Sequence, residues 1–223
     1  MRFLPLTPDR LVAELADWID GSASKAPARE VAGKAAGLVI GFDGPAELGT
    51  TMLVDRVAER LQHLGRPVIR ACTRRWWRPS ALRLELGRED VDMLLTGWVD
   101  DRALRRELIE PVTDGTRSYI TELRDPNTDR SIRQRPQPAV AGGILLLDGP
   151  FLLATELPLD ALVALHISDG ALRRALAPEN SWWAAAFRRY IEEYRPADQA
   201  EVLISYDHAA APAVAGLQCS ACL

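Results

Sequence analysis

Residues 44 to 51 read GPAELGTT, and the glycine spacing is that of a loop built to hold a phosphate. In the pattern G-x-x-x-x-G-K-[ST], glycine-permitted turns aim backbone N–H groups at a phosphate that also meets the positive end of the next helix. Gly44 and Gly49 supply that backbone design, and Thr51 stands where a hydroxyl would hold Mg²⁺. Thr50 stands in place of the lysine that reaches the β- and γ-phosphates. Losing one preorganised electrostatic contact commonly lowers a rate by about two to three orders of magnitude. The chain's only lysines, Lys25 and Lys34, both precede the loop, so none downstream replaces it. The plain alternative is a glycine-rich turn between a strand and a helix.

The elements that must position this loop follow from periodicity. Residues 38–43, LVIGFD, read as a buried strand; 50–65 carries apolar residues at helical spacing and ends at Gly65; RPVIRAC, 66–72, is a second strand at β-α-β spacing. Further strands are expected in GGILLLDGPFLL, closing on Asp148, in LDALVALHIS, and in AEVLIS. Helices are expected over 8–20, with Thr7 as N-cap and Gly21 as stop, and in DDRALRRELIEPV, DGALRRALA and SWWAAAFRRYIEEYRP. Residues 116–135 alternate around DPNTD, the pattern of a β-hairpin or a strand pair. Five buried strands alternating with helices predict a doubly wound α/β fold, a mainly parallel five-stranded sheet with helices on both faces and the middle insertion over its carboxyl edge. The boundaries follow: an N-terminal helix and linker over 1–37, one domain over 38–208, and a flexible tail over 209–223.

Composition narrows the function. The net charge of −4 argues against nucleic acid or an anionic membrane as the main partner. The start, MRFLPLTPDR, lacks the apolar core of a signal peptide, and no segment has the roughly 18 to 20 apolar residues of a membrane span, so a cytoplasmic location is expected. Cys219 and Cys222 read as part of a frayed tail rather than a zinc or redox site.

Four pieces in order, FDGPAELGTT, RPVIRACTRRWWRPSALR, LLLDGPFLLATEL and ALRRALA, followed by RRYIEEYRP, resemble the uridine kinase-like branch of P-loop kinases, particularly its actinobacterial members. The resemblance covers about residues 38–208 and implies a P-loop NTPase fold using ATP and Mg²⁺. It places Asp148 as the carboxylate organising Mg²⁺ with Thr51, and Arg173 and Arg174 at the start of a lid closing over the phosphates. Pro178 and Glu179 depart from the family's lid pattern. Arg74 aligns with the aspartate that serves the substrate hydroxyl as base, and a guanidinium cannot accept that proton. Arg74, Arg75, Trp76 and Trp77 would line the substrate cleft, which Trp182 and Trp183 flank from another segment. Paired tryptophans either stack on a ligand, divide between core and surface, or mark a protein contact.

Clamp and base are therefore both replaced. The expected function is a degenerate kinase-like protein that binds a nucleotide, a phosphorylated small molecule or a protein partner. The alternative is a working kinase of a nucleoside or other hydroxylated metabolite, with Arg74 or Arg75 supplying charge and Asp43 or Asp148 assisting the acceptor.

Overall fold

Runs such as Leu38–Asp43 and Ile144–Gly149 lack the alternation of a half-exposed strand because both faces of their sheet are covered. The computed structural model describes residues 3–25, 30–31, 34–115 and 117–217. Its main sheet comprises β1 (Leu4–Pro5), β2 (Leu38–Asp43), β3 (Val68–Cys72), β4 (Ile144–Gly149), β5 (Ala161–His166), β6 (Val202–Ser205) and β7 (Ala213–Ala215). The spatial order is β1-β7-β6-β5-β2-β4-β3. The five expected strands, β2 to β6, are mutually parallel, and β7 and β1 extend the sheet in antiparallel fashion. The sheet thus has seven strands, and two of them come from segments expected to lie outside the domain.

The principal helices are α1 (Pro8–Lys25), α2 (Thr50–His63), α3 (101–114), α4 (Asp169–Ala175) and α5 (Trp183–Tyr194). Side chains alternate along each strand, so Ile40, Phe42, Ile144 and Leu146 join Leu11, Leu15, Val54 and Val57 of α1 and α2 in one core. Val39, Leu145, Leu147 and Ile69 point the other way, onto Leu104, Leu108 and Val112 of α3. The chain leaves β2 through α2 for β3 on one side, returns to β4, then crosses β2 to β5 on the other side. Where connections part in opposite directions, a crevice opens at the carboxyl end of the central strand, which here is β2.

Gly21 does not end α1, which runs on to Lys25. A helical glycine costs about 1 kcal/mol. Arg66 offsets it by bonding Asp20 and, at 2.6 Å, the Ser24 hydroxyl on the next turn. The hairpin around DPNTD forms, pairing Arg124–Asp125 with Arg130–Ser131. Residues 213–215, within the segment expected as a tail, are a sheet strand, whereas Cys219 and Cys222 lie outside the described residues. Among the described residues no helix is long and apolar enough to cross a membrane.

Because Leu15 is fully buried in the core that α1 shares with α2 and the sheet, Leu15→Ala should lower the global unfolding free energy by about 2–5 kcal/mol. Urea denaturation measures this, and a loss confined to a separate early transition would mark α1 as an appendage.

Candidate functional site

The end of β2 is set by a buried carboxylic acid. Asp43 accepts a 3.0 Å hydrogen bond from the Phe151 amide and another from the Tyr190 hydroxyl of α5. Burial raises its pKa from 3.8 to about 7, against the opposing pull of these bonds. Phe151, past the end of β4, sits in the left-handed region at φ 65°, an uncommon setting for an aromatic residue that the bond to Asp43 holds in place.

The loop then turns inward. Ala46–Leu48 forms a 3₁₀ turn in which Leu48 N–H donates to the Pro45 carbonyl at 3.3 Å and Gly49 N–H to that of Ala46 at 2.9 Å. Gly49 reverses the chain at φ 90°, a conformation that suits glycine, and α2 begins. Two amides that a phosphate cradle would use are thereby occupied. Thr50, fully buried, donates its hydroxyl to the Pro45 carbonyl at 2.8 Å. The residue in the clamp position therefore fastens the loop to itself. Glu47 adds a negative side chain to the turn. By helix geometry the first-turn amides of α2, those of Thr50 and Thr51 included, have no acceptor within the helix, and they remain the loop's best anion donors.

Beside the loop, Thr51 donates to Asp148 Oδ2 at 2.6 Å, joining the two residues expected at a Mg²⁺ position. The other carboxylate oxygen is taken by Arg70 Nη1 at 2.6 Å. Arg70 also donates to Asp55 at 2.8 Å and to the carbonyls of Ala71, Leu146 and Thr51. Among the described residues no group of three or more His, Cys, Asp or Glu could hold a metal. A cation at Thr51 and Asp148 would take its further ligands from water or from a nucleotide's phosphates, beside a guanidinium of like charge.

The fold as a whole recurs in solved structures. A "possible uridine kinase" from Bacillus stearothermophilus aligns over 85% of this chain and 98% of its own, with a TM-score of 0.62 and 22% identity. A "putative fructose transport system kinase" from Silicibacter sp. TM1040 aligns over 83% and 95%, with a TM-score of 0.53 and 15% identity. The chain has the P-loop kinase fold. No family model and no curated protein matches the sequence.

The residues expected to line a substrate cleft go to different places, and Trp77 joins a tryptophan cluster. Trp77 meets Trp98 edge-on at 5.1 Å and Trp183 at 6.3 Å; Trp98 also meets Trp182 at 6.2 Å and Trp183 at 5.6 Å. Arg83 lies 4.8 Å from the ring centres of both Trp77 and Trp98, a cation–π contact on two indoles. Trp76 turns away into the α3 core and donates its indole N–H to the Thr121 carbonyl at 3.1 Å. The two residues of the Trp76–Trp77 pair thus serve opposite cores. Arg75 is exposed and faces Glu122 at 3.5 Å, whereas Arg74 lies 5.2 Å over Trp77.

Arg173 and Arg174 are exposed on α4, and Arg173 is held at 2.7 Å by Asp169 of its own helix. What α4 brings to the P-loop is Leu172, which lines a cavity of about 40 Å³ together with Asp43, Gly44, Pro45 and Tyr190. Sequence reasoning missed Arg70, Arg83, Trp98 and Tyr190. An arginine inside a buried strand signals a partner carboxylate, so Arg70 was open to detection; Tyr190 meets Asp43 across 147 positions with no local sign.

Asp43 has a native pKa above its unfolded value, so it stays uncharged in the folded protein over a range where the unfolded chain ionises. The stability it contributes is full below the unfolded value and is lost as pH rises through about 7. Asp43→Asn should remove this slope, gaining on the natural protein by on the order of 2 kcal/mol between about pH 5 and pH 8 in urea denaturation.

Proposed function

We propose that the protein is a pseudokinase: a P-loop kinase fold that binds ligands or a partner without efficient phosphoryl transfer. The observation that carries this reading is the Thr50 hydroxyl bonded to Pro45 in the position of the phosphate clamp. Three others support it. The P-loop amides of Leu48 and Gly49 are engaged, Arg74 aligns by the sequence resemblance with the family's proton acceptor, and the neighbouring Trp77 packs with Trp98 and Trp183. Phosphoryl transfer is catalysed almost wholly by positioning and charge, so losing clamp and base together removes most of what such a site supplies.

Nucleotide binding would rest on the first-turn amides of α2, with Thr51 and Asp148 the residues to hold Mg²⁺. The ion would offset phosphate charge. One observation favours a second reading, an active kinase with rearranged groups: the Thr51–Asp148 pair is joined as a metal-binding pair would require. In that case Asp148→Asn abolishes turnover.

With Mg-ATP and uridine, cytidine or fructose, turnover should stay far below the about 1–100 s⁻¹ of kinases. Sustained turnover in that range overturns the pseudokinase reading. Thr50→Lys should strengthen Mg-ATP binding in calorimetry without restoring transfer, because Arg74 and the tryptophans remain.

A further inference from the structure

Of the pair at the candidate metal position, Thr51 and Asp148, only Asp148 carries charge, and both of its oxygens are already engaged. Oδ2 accepts the Thr51 hydroxyl and Oδ1 accepts Arg70 Nη1, each at 2.6 Å. The carboxylate is 1% exposed, so solvent has almost no access to its remaining lone pairs. A divalent cation bound here needs one of these oxygens, directly or through one of its waters. Mg²⁺ takes oxygen ligands at roughly 2.0–2.1 Å in near-octahedral array and gives up its water reluctantly. The bond from Thr51 is compatible with an ion, because the hydroxyl donates to Asp148 and keeps its own lone pairs for a metal. The bond from Arg70 is not. A guanidinium offers no acceptor and keeps its charge at any relevant pH, and this one balances the carboxylate that an ion would draw on.

Arg70 is also held from several sides. Nε donates to Asp55 at 2.8 Å, Nη1 to the Ala71 carbonyl at 2.6 Å and Nη2 to the Thr51 carbonyl at 3.3 Å. The guanidinium is planar and moves as one piece, so turning Nη1 away from Asp148 disturbs its bonds to α2 and β3 at the same time. Arg70 thereby bridges Asp55 and Asp148. Without it, these two carboxylates would leave uncompensated negative charge beside Thr51, one of them buried and in need of a counter-ion.

We propose that Arg70 is a built-in competitor of divalent metal: its guanidinium holds Asp148 in place of a cation, and the Thr51–Asp148 position takes metal only when Arg70 is displaced or removed. This deepens the reading of that site and rests on it only for the place where a metal would sit, not for the absence of phosphoryl transfer.

The test is titration of the full chain with Mn²⁺ alone, an ion that shares the oxygen-ligand preference of Mg²⁺ and whose free form is counted by electron paramagnetic resonance. The natural protein should show no saturable site at submillimolar Mn²⁺. Arg70→Met, which leaves Asp55 and Asp148 uncompensated, should bind the ion at least about tenfold more tightly, and Asp148→Asn in the Arg70→Met background should cancel the gain. Arg70→Gln keeps a neutral donor for Asp148, should show the same gain to a smaller extent, and carries the test if Arg70→Met lacks native circular dichroism. Saturable submillimolar binding by the natural protein that is lost in Thr51→Val or Asp148→Asn overturns the proposal, and this measurement decides even where neither Arg70 variant folds. Folded Arg70 variants that bind no more tightly than the natural protein also overturn it, as does a gain that survives Asp148→Asn. Turnover of a nucleoside with Mg-ATP would instead defeat the pseudokinase reading and leave the Mn²⁺ titrations to judge Arg70 separately.

Discussion

A fully buried carboxylate at the end of β4 constrains everything around it. Asp148 has no access to water, and a buried charge without a partner costs several kcal/mol even after the protein relaxes. Arg70 meets it, and because a guanidinium has five donors in a rigid fork, satisfying Arg70 recruits Asp55 and the carbonyls of Ala71, Leu146 and Thr51 as well. The hydroxyl of Thr51 completes the carboxylate's shell. One ion pair thus fixes the relation of β3, β4 and the first turn of α2.

The loop between β2 and α2 is therefore held at both ends, at Asp43 by Tyr190 and Phe151 and at Thr51 by Asp148. In between, Thr50 carries no charge to hold out toward a phosphate, and its short hydroxyl reaches only the loop's own carbonyl. The Arg74 guanidinium finds a π-face in Trp77. Arg83 between Trp77 and Trp98 extends this packing. Trp77, Trp98, Arg74 and Arg83 together form an aromatic and cationic layer.

Much of the frame was legible before the structure. Strands such as Ile144–Gly149 are too apolar to be anything but buried, and α2 carries its apolar stripe at unambiguous spacing. The gain of β1 and β7 was not legible, because strands of two and three residues at a sheet edge have no periodicity to read. The passage of α1 through Gly21 was hidden for a related reason, since the compensating Arg66 lies 42 positions beyond Ser24.

The sequence by itself determined the α/β alternation, the glycine positions of the loop, and a threonine rather than a lysine between Gly49 and Thr51. These are local properties, set by residue type and short-range spacing. The tertiary structure alone decided that the loop folds onto Pro45, that Arg70 answers Asp148, and that Trp77, Trp98, Trp182 and Trp183 meet in one cluster. Hydrogen bonds and ring contacts between distant positions depend on where the sheet brings each segment, and spacing along a chain does not encode them.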